Sequence, residues 1–415
     1  MIYPANFEEK IGFDRIREQV TALCSTPSAK AKLAEEGFST SADEIERRLS
    51  LMNEMRSLLM LERDFPDGDY PDPAPLVAKI RVEGSYLLAA EADQLRKALV
   101  TVGAIAEFIL GRGGARYPRL WELSRRVTLF PEIVRAIDAI LDDRGEVKDS
   151  ASPELQQVRR AIREREGQAA KRLQQVLQRA KQAGIVDADA VLSVRDGRPV
   201  IPVAAANKRK LQGFIHDESA TGRTFYVEPV EVVEINNELK ELEYAERREV
   251  VKVLSAFTES IRPDAEVIAD AGDYLSSVDM IRAKARWALA NDAGKPILST
   301  DDRLELRTAR HPLLQQTLRA QGREVVPLDL ALDRRKHILV ISGPNAGGKS
   351  VCLKTTGLMQ YLFQCGYPVP ASEVSELPVF RSIFIDIGDE QSIDDDLSTY
   401  SSHLRNMKNM LAGAS

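Results

Sequence analysis

The sequence predicts a multidomain α plus α/β protein: a helical core, a long antiparallel helical arm with a small β-rich module at its tip, and a partial P-loop α/β domain. Three observations carry this expectation. The first third is helically periodic between turn residues. Two long apolar stripes of matching length flank a short segment whose period changes. Near residue 340, an aliphatic run empties into a glycine-rich loop that ends in lysine and serine.

The loop is the most informative stretch. Ile338-Leu339-Val340-Ile341 reads as a buried parallel strand, and the residues after Ser350 read as a helix. Between them lies Gly343-Pro344-Asn345-Ala346-Gly347-Gly348-Lys349-Ser350, a phosphate-binding loop at a strand-to-helix corner. Glycines there let successive backbone N–H groups converge on phosphates, and the positive end of the helix dipole adds to the attraction. Lys349 can reach the β- and γ-phosphates as a point charge, and the Ser350 hydroxyl can ligate magnesium. At average residue frequencies the bare pattern arises by chance in only about 1% of chains of this length. Nucleotide binding therefore outweighs a glycine-rich turn that binds nothing.

Composition bounds the rest. With 415 residues, 29% charged and 44% hydrophobic, the chain has length for two to four domains and a substantial core. No apolar run approaches bilayer length, and Met1 to Glu9 lack a secretory signal's basic start and apolar centre, so a cytoplasmic protein without membrane contact is expected. Cys24, Cys352 and Cys365 are too few and scattered for a disulfide framework or zinc cluster and read as reduced core thiols. A net charge of −6 argues against a uniformly basic coat but leaves room for local basic patches.

Residues 1–150 read as the helical core. Ser25-Thr26-Pro27-Ser28 and Thr40-Ser41-Ala42-Asp43-Glu44 are helix-opening signals, Phe65 to Pro75 is a proline- and glycine-rich connection, and periodicity resumes from Glu83 to Leu110. Residues 151–189 carry the outgoing arm helix, with Leu155, Val158, Ile162, Ala169, Leu173, Val176 and Ala180 on one stripe. Its counterpart, in residues 231–291, places Ile235, Leu239, Leu242, Val250, Val253, Phe257 and Ile261 together. At about 1.5 Å per residue, such an arm extends roughly 45 Å.

The insert, residues 190–230, alternates like strands. Asp196-Gly197 and Ala220-Thr221-Gly222-Arg223 mark two hairpin turns. It concentrates Arg195, Arg198, Lys208, Arg209, Lys210 and Arg223 in an acidic protein. These cations either are solvated charges that protect strand edges or contact a nucleic-acid backbone, and a remote tip favours contact. His216 reads as a hydrogen-bonded core histidine, since no second histidine or cysteine lies near it for a metal.

Residues 292–415 form the P-loop domain. Leu304-Glu305-Leu306 and Val325-Val326-Pro327-Leu328 read as short strands, Ala309-Arg310-His311-Pro312 opens a helix, and the helix from Lys349 ends at Gly366. A further strand, Ser382 to Asp386, precedes Gly388-Asp389-Glu390-Gln391-Ser392 and a helix starting near Leu397.

The phosphate loop, the Ala309-to-Pro312 turn and the Asp386-to-His403 segment together resemble the MutS family of ABC-type ATPases. Asp-Ile-Gly-Asp-Glu-Gln-Ser-Ile from Asp386, followed by Leu397-Ser398-Thr399 and Ser401-Ser402-His403, is similar to the second bacterial subfamily. The arm and insert resemble that family's lever and clamp. The resemblance implies a homodimeric ATPase using ATP and Mg2+, with Gly343 to Ser350 holding nucleotide at the interface. Ser398 and Thr399 would reach the γ-phosphate of the opposite site, which links dimer closure to nucleotide state. It further implies branched DNA, collided ribosomes, or both, as partners. The alternative is a non-hydrolysing clamp that holds nucleic acid or a ribosomal partner.

Two departures bear on activity. No mismatch-reading domain precedes the core, and the Phe-x-Glu matches at Phe7-Glu8-Glu9 and Phe257-Thr258-Glu259 fall in helical contexts, so mismatch recognition is not expected. Nothing after Ser415 supplies a Walker B strand, switch histidine or nuclease-like domain, so weak nucleotide binding and poor hydrolysis are expected of this chain, with any endonuclease activity belonging to a longer protein.

Overall fold

In the computed structural model, all residues are described except 196, 345–346, 388–403, 405 and 413–415. They divide into two compact units, one of residues 1–77, 94–130 and 265–415 and one of residues 78–93 and 131–264.

The chain opens with a two-residue strand, β1 (Ile2–Tyr3), then helices α1 (Phe7–Ile11), α2 (Phe13–Ala22), α3 (Pro27–Glu35) and α4 (Ala42–Leu61). Local capping sets these breaks. Thr26 accepts the Ala29 N–H with Pro27 at the first helical position, and Ser41 accepts the Glu44 N–H ahead of two acids in the first turn. Next come α5 (Ala74–Ile80), α6 (Ala89–Gly111), α7 (Pro118–Ser124) and α8 (Pro131–Ile140). Helix α6 begins at Ala89 rather than Glu83. Glu91 accepts the Leu88 N–H at 2.7 Å and the Ser85 hydroxyl bonds back to Val82 O at 2.6 Å, local bonds that compete with helix over these residues.

The second unit is dominated by α9 (Pro153–Gln182) and, after the insert, a helix over Val230–Ile261. The insert holds β2 (Ser193–Arg195), β3 (Arg198–Ala204), β4 (Gly213–Glu218) and β5 (Thr224–Pro229), an antiparallel sheet in the order β2-β3-β5-β4. The helix after it is α10 (Val230–Ile261). Ion pairs Arg159–Glu246 (2.7 Å) and Arg165–Glu238 (2.9 Å) and the longer Arg179–Glu231 approach (3.8 Å) climb one helix as they descend the other, so α9 and α10 are antiparallel. Leu155, Ala169, Leu173, Val176 and Ala180 of α9 are buried. Ile201, Val203 and Val227 of the sheet share a core with Leu173, Val176 and Val232, which fixes the sheet on the helix ends.

The first unit continues with α11 (Ala265–Ala290), β6 (Ile297–Leu298), β7 (Leu304–Ala309), α12 (Pro312–Arg319), β8 (Leu328–Leu332), α13 (Lys349–Gln364), β9 (Glu376–Leu377) and β10 (Ile383–Phe384). Strands β6-β9-β7-β8 form one sheet, and β1 pairs in parallel with β10. The core gathers Phe7, Phe13, Trp287, Leu358, Tyr361 and Phe363. Buried charge in α11 is paired, as a low dielectric requires: Arg282 meets Asp279 at 2.8 Å, and Lys284 meets Glu36. The architecture is thus mixed helical and α/β with small sheets.

Three expectations need correction. Ile338-Leu339-Val340-Ile341 is not a buried strand: Ile338, Leu339 and Val340 are 76%, 50% and 84% exposed. Both sheets of this unit pair among other strands, so among the described residues this run has no ladder partner. The strand expected from Val325 instead starts at Leu328, because Pro327 has no N–H to give a ladder. The strand expected over Ser382 to Asp386 shortens to β10.

Candidate functional site

The glycine-rich loop meets the N-terminus of α13, with Gly348 as its N-cap at φ +84°. Gly343 is also at positive φ, +148°. A Cβ at either glycine would meet nothing within 4 Å, so backbone conformation rather than space calls for glycine there. Gly347 N–H donates to Pro344 O at 2.9 Å, and the Lys349 ammonium donates to Gly343 O, which draws the loop together. Ser350 is exposed in the first turn of α13. Pro344 is exposed, while Asn345 and Ala346 lie outside the described residues, as do Ser398 and Thr399.

The far half of α13 is anchored in the core. Tyr361 and Arg17 both donate to Glu8 Oε1 at 2.6 Å, and Gln364 donates to Ser39 O at 2.9 Å and Phe380 O at 2.8 Å. Lys284 donates to Gly366 O at 3.2 Å, placing a cation where the helix ends. The loop therefore sits on a helix whose other end cannot shift without breaking buried polar contacts.

Beside the loop is a cavity of about 420 Å³, walled by Leu314 and Leu318 of α12, Val325 and Val326 before β8, and Gly347, Val351 and Cys352 of the loop and α13. His311, the N-cap of α12, also borders it. Burial pushes the His311 imidazole down to about 4, so the ring is neutral near pH 7. Cys352 is a half-buried free thiol, whereas Cys24 and Cys365 are buried, as expected of core thiols.

In the β-module, the six cations separate into two groups. Arg198 gives two hydrogen bonds to Glu228, at 2.9 and 3.0 Å, and one to Asn237 at 3.0 Å. Glu228 also accepts from Asn236 at 2.6 Å and pairs with His216 Nε2 at 2.5 Å. Arg195 is ion-paired with Asp217 at 2.9 Å and lies 3.9 Å from the Tyr226 ring centroid. By contrast Lys208, Arg209, Lys210 and Arg223 are exposed, with Lys208 also over the Phe225 ring. Arg195 and Arg198 thus hold the module together, and the other four present charge to solvent. His216 has the hydrogen bond expected of it but is half-buried rather than in the core, and no cluster of metal-ligating side chains occurs among the described residues.

Residues 339–415 match the family model described as MutS domain V. Proteins named Endonuclease MutS2 are similar over nearly the whole chain. The one from Bacillus velezensis is 35% identical over 405 residues, 97% of this chain and 51% of its own length. That from Thermomicrobium roseum is 36% identical over 406 residues, covering 95% and 50%. This chain belongs to the MutS family. A Bacillus subtilis protein named Putative endonuclease MutS2 is 34% identical over 401 residues, 96% of this chain and 50% of its own. The chain spans about half the length of the curated relatives it matches. Within this MutS-family chain, sequence reasoning located the loop and the basic module but missed the cavity wall and the Glu228 cluster. The wall has one signal in the sequence, the apolar pair Val325-Val326 a short distance before the loop, whose composition fits a strand equally well.

Proposed function

We propose that the chain is the ATP-binding part of a MutS-type ATPase that acts on structured nucleic acid. The observation that carries this is the cavity of about 420 Å³, apolar along Leu314, Leu318, Val325 and Val351 and polar at Arg323 and Glu324, opening directly onto the glycine loop at the N-terminus of α13. The residues suit a magnesium-bound nucleoside triphosphate. The first-turn amides of α13 and Lys349 would hold phosphate oxygens, the Ser350 hydroxyl would reach the metal, and the apolar wall would take the base. Bound magnesium would supply Lewis-acid neutralisation of phosphate charge. What the protein's own residues do is fix the loop: α13 is pinned at its far end, so its N-terminus presents donors without reorganisation.

On this reading, the complete protein is a homodimeric, cytoplasmic ATPase in which Ser398 and Thr399 approach the opposite nucleotide. The exposed Lys208, Arg209, Lys210 and Arg223 engage branched DNA or ribosomal RNA. Calorimetry with a slowly cleaved ATP analogue and magnesium tests the nucleotide site. Binding that is lost in Lys349→Ala and retained in Lys208→Ala supports the proposal, whereas equal affinity in Lys349→Ala and the parent protein removes it.

A further inference from the structure

We infer that the outward face of α9 is a docking track for the phosphodiester backbone of a nucleic-acid duplex. This rests on the nucleic-acid reading of the β-module and extends it along the helix.

Opposite the buried residues Leu173, Val176, Leu177 and Ala180, α9 shows solvent a stripe of Lys171, Arg172 and Arg179 with the amides of Gln175, Gln178 and Gln182. The side chains of the stripe border an open, solvent-facing space of about 590 Å³ on that face of α9. From Gly167 to Gln182 there is no aspartate or glutamate, while Lys171, Arg172, Arg179 and Lys181 are cationic. The antiparallel partner is the reverse: along the facing stretch, between the Arg179–Glu231 and Arg165–Glu238 pairs, α10 carries Glu231, Glu234 and Glu238 and no lysine or arginine. A solvated helix usually mixes both signs along its face. Here the signs are sorted onto two helices, so a polyanion is attracted to one side of the pair and repelled from the other. Arg179 has a 3.4 Å hydrogen bond to Gln175 O and a 3.8 Å approach to Glu231 as its one ion pair among the described residues, and Lys171 and Arg172 have no ion pair among them.

Two features choose the occupant. Cations interleaved with amide donors suit phosphate oxygens, which accept both kinds of hydrogen bond. The stripe carries no aromatic ring on which an unpaired base would stack, so it favours a duplex over a single strand. The track also continues into the basic loop. Asn207 Nδ2 donates to Ile185 O at 3.0 Å, and Leu211 packs with Ile185 in the core of Leu173 and Val176, which holds Lys208 to Lys210 at the same end of α9. From residue 171 to 182 the helix rises about 16 Å, roughly five base pairs of duplex.

The test measures binding of the full chain to a labelled DNA duplex, an RNA duplex of the same sequence and the single DNA strand, by anisotropy over a salt series. For the parent, K171A/R172A/R179A and K208A/R209A/K210A, the slope of log K against log salt is compared. The inference expects duplex to bind tighter than single strand, and K171A/R172A/R179A to lower the duplex slope by about 2 to 3, near 0.9 per phosphate. All three positions are exposed, so thermal unfolding should be unchanged. An unchanged slope in this variant, with a lowered slope in K208A/R209A/K210A, overturns the track and leaves the module's reading intact. No binding by the parent, or no change in either variant, overturns both. If the stripe instead meets the acids of α10 in a second copy, sedimentation changes while the slope does not, and the inference also fails.

Discussion

The Arg198 guanidinium grips Glu228 through two hydrogen bonds of 2.9 and 3.0 Å, and that carboxylate is 1% exposed. Glu228 is the penultimate residue of β5, whose last residue, Pro229, leads directly into α10, and Asn236 of α10 donates to it as well. One buried anion therefore ties β3, β4 and β5 to the helix that leaves the sheet.

Removing that anion should loosen the module. Burial opposes ionisation of Glu228, but hydrogen bonds from Asn236, His216 and Arg198 outweigh it and hold its pKa below the ordinary 4.5. Its stabilisation is therefore present above about pH 4.5 and is lost as pH falls through the depressed value. Glu228→Ala leaves Arg198 and His216 without their shared acceptor and should cost roughly 3 kcal/mol. Denaturant unfolding of Glu228→Ala and Glu228→Gln at pH 7.5 and pH 3.5 checks this. Both variants should show a smaller difference between the two pH values than the parent protein, and Glu228→Gln, which keeps an acceptor for Arg198, the smaller loss at pH 7.5.

His311 gives a second pH dependence. Burial lowers its folded pKa to about 4 from an ordinary 6.5. The unfolded chain thus takes up a proton first as pH falls, so this residue's stabilisation is present above about 6.5 and disappears by about 4. His311→Asn should flatten the decline between those values. A decline of the same steepness in the variant would place the acid sensitivity elsewhere.

Lys349→Ala should abolish measurable binding of an ATP analogue while leaving the fold in place. The lysine is the half-buried first residue of α13, at a helix end away from the core, where substitutions usually change stability by less than about 0.5 kcal/mol. Calorimetry gives the affinity and circular dichroism the melting point. A melting loss as large as that of a core substitution would show that the Lys349 to Gly343 bond supports the fold rather than the ligand.

What could be read in advance was local. The α9 and α10 stripes, the hairpins around Gly197 and Gly222, and the loop from Gly343 each write their structure within a few residues, through periodicity or turn chemistry. Glu228 could not be read this way, since its partners Arg198 and Asn236 lie on different elements and its side chain looks like any surface acid. The Ile338-to-Ile341 run illustrates the opposite error. Its composition fits a buried strand, but a strand needs a neighbour, and periodicity does not reveal whether one is present. Strand β1 is only two residues long, and its partner lies some 380 residues away.

That distant pairing yields the last prediction. Ile2 and Tyr3 align with Ile383 and Phe384, and the Met1 amine donates to Arg381 O at 2.7 Å. The Tyr3 hydroxyl donates to Asn406 Oδ1 at 2.7 Å and accepts from Asn409 at 3.0 Å, so one phenol ties the helical residues 406–412 to β1, the strand that pairs with β10 through its backbone. Tyr3→Phe keeps the ring and deletes both bonds, each worth about 1 kcal/mol. Amide exchange should then quicken at residues 383–387 and 406–412, with helix α2 unchanged, because opening is local where few bonds hold a segment. Uniform protection across all three regions would mean that backbone pairing of β1 with β10 suffices, and that the phenol merely fills space.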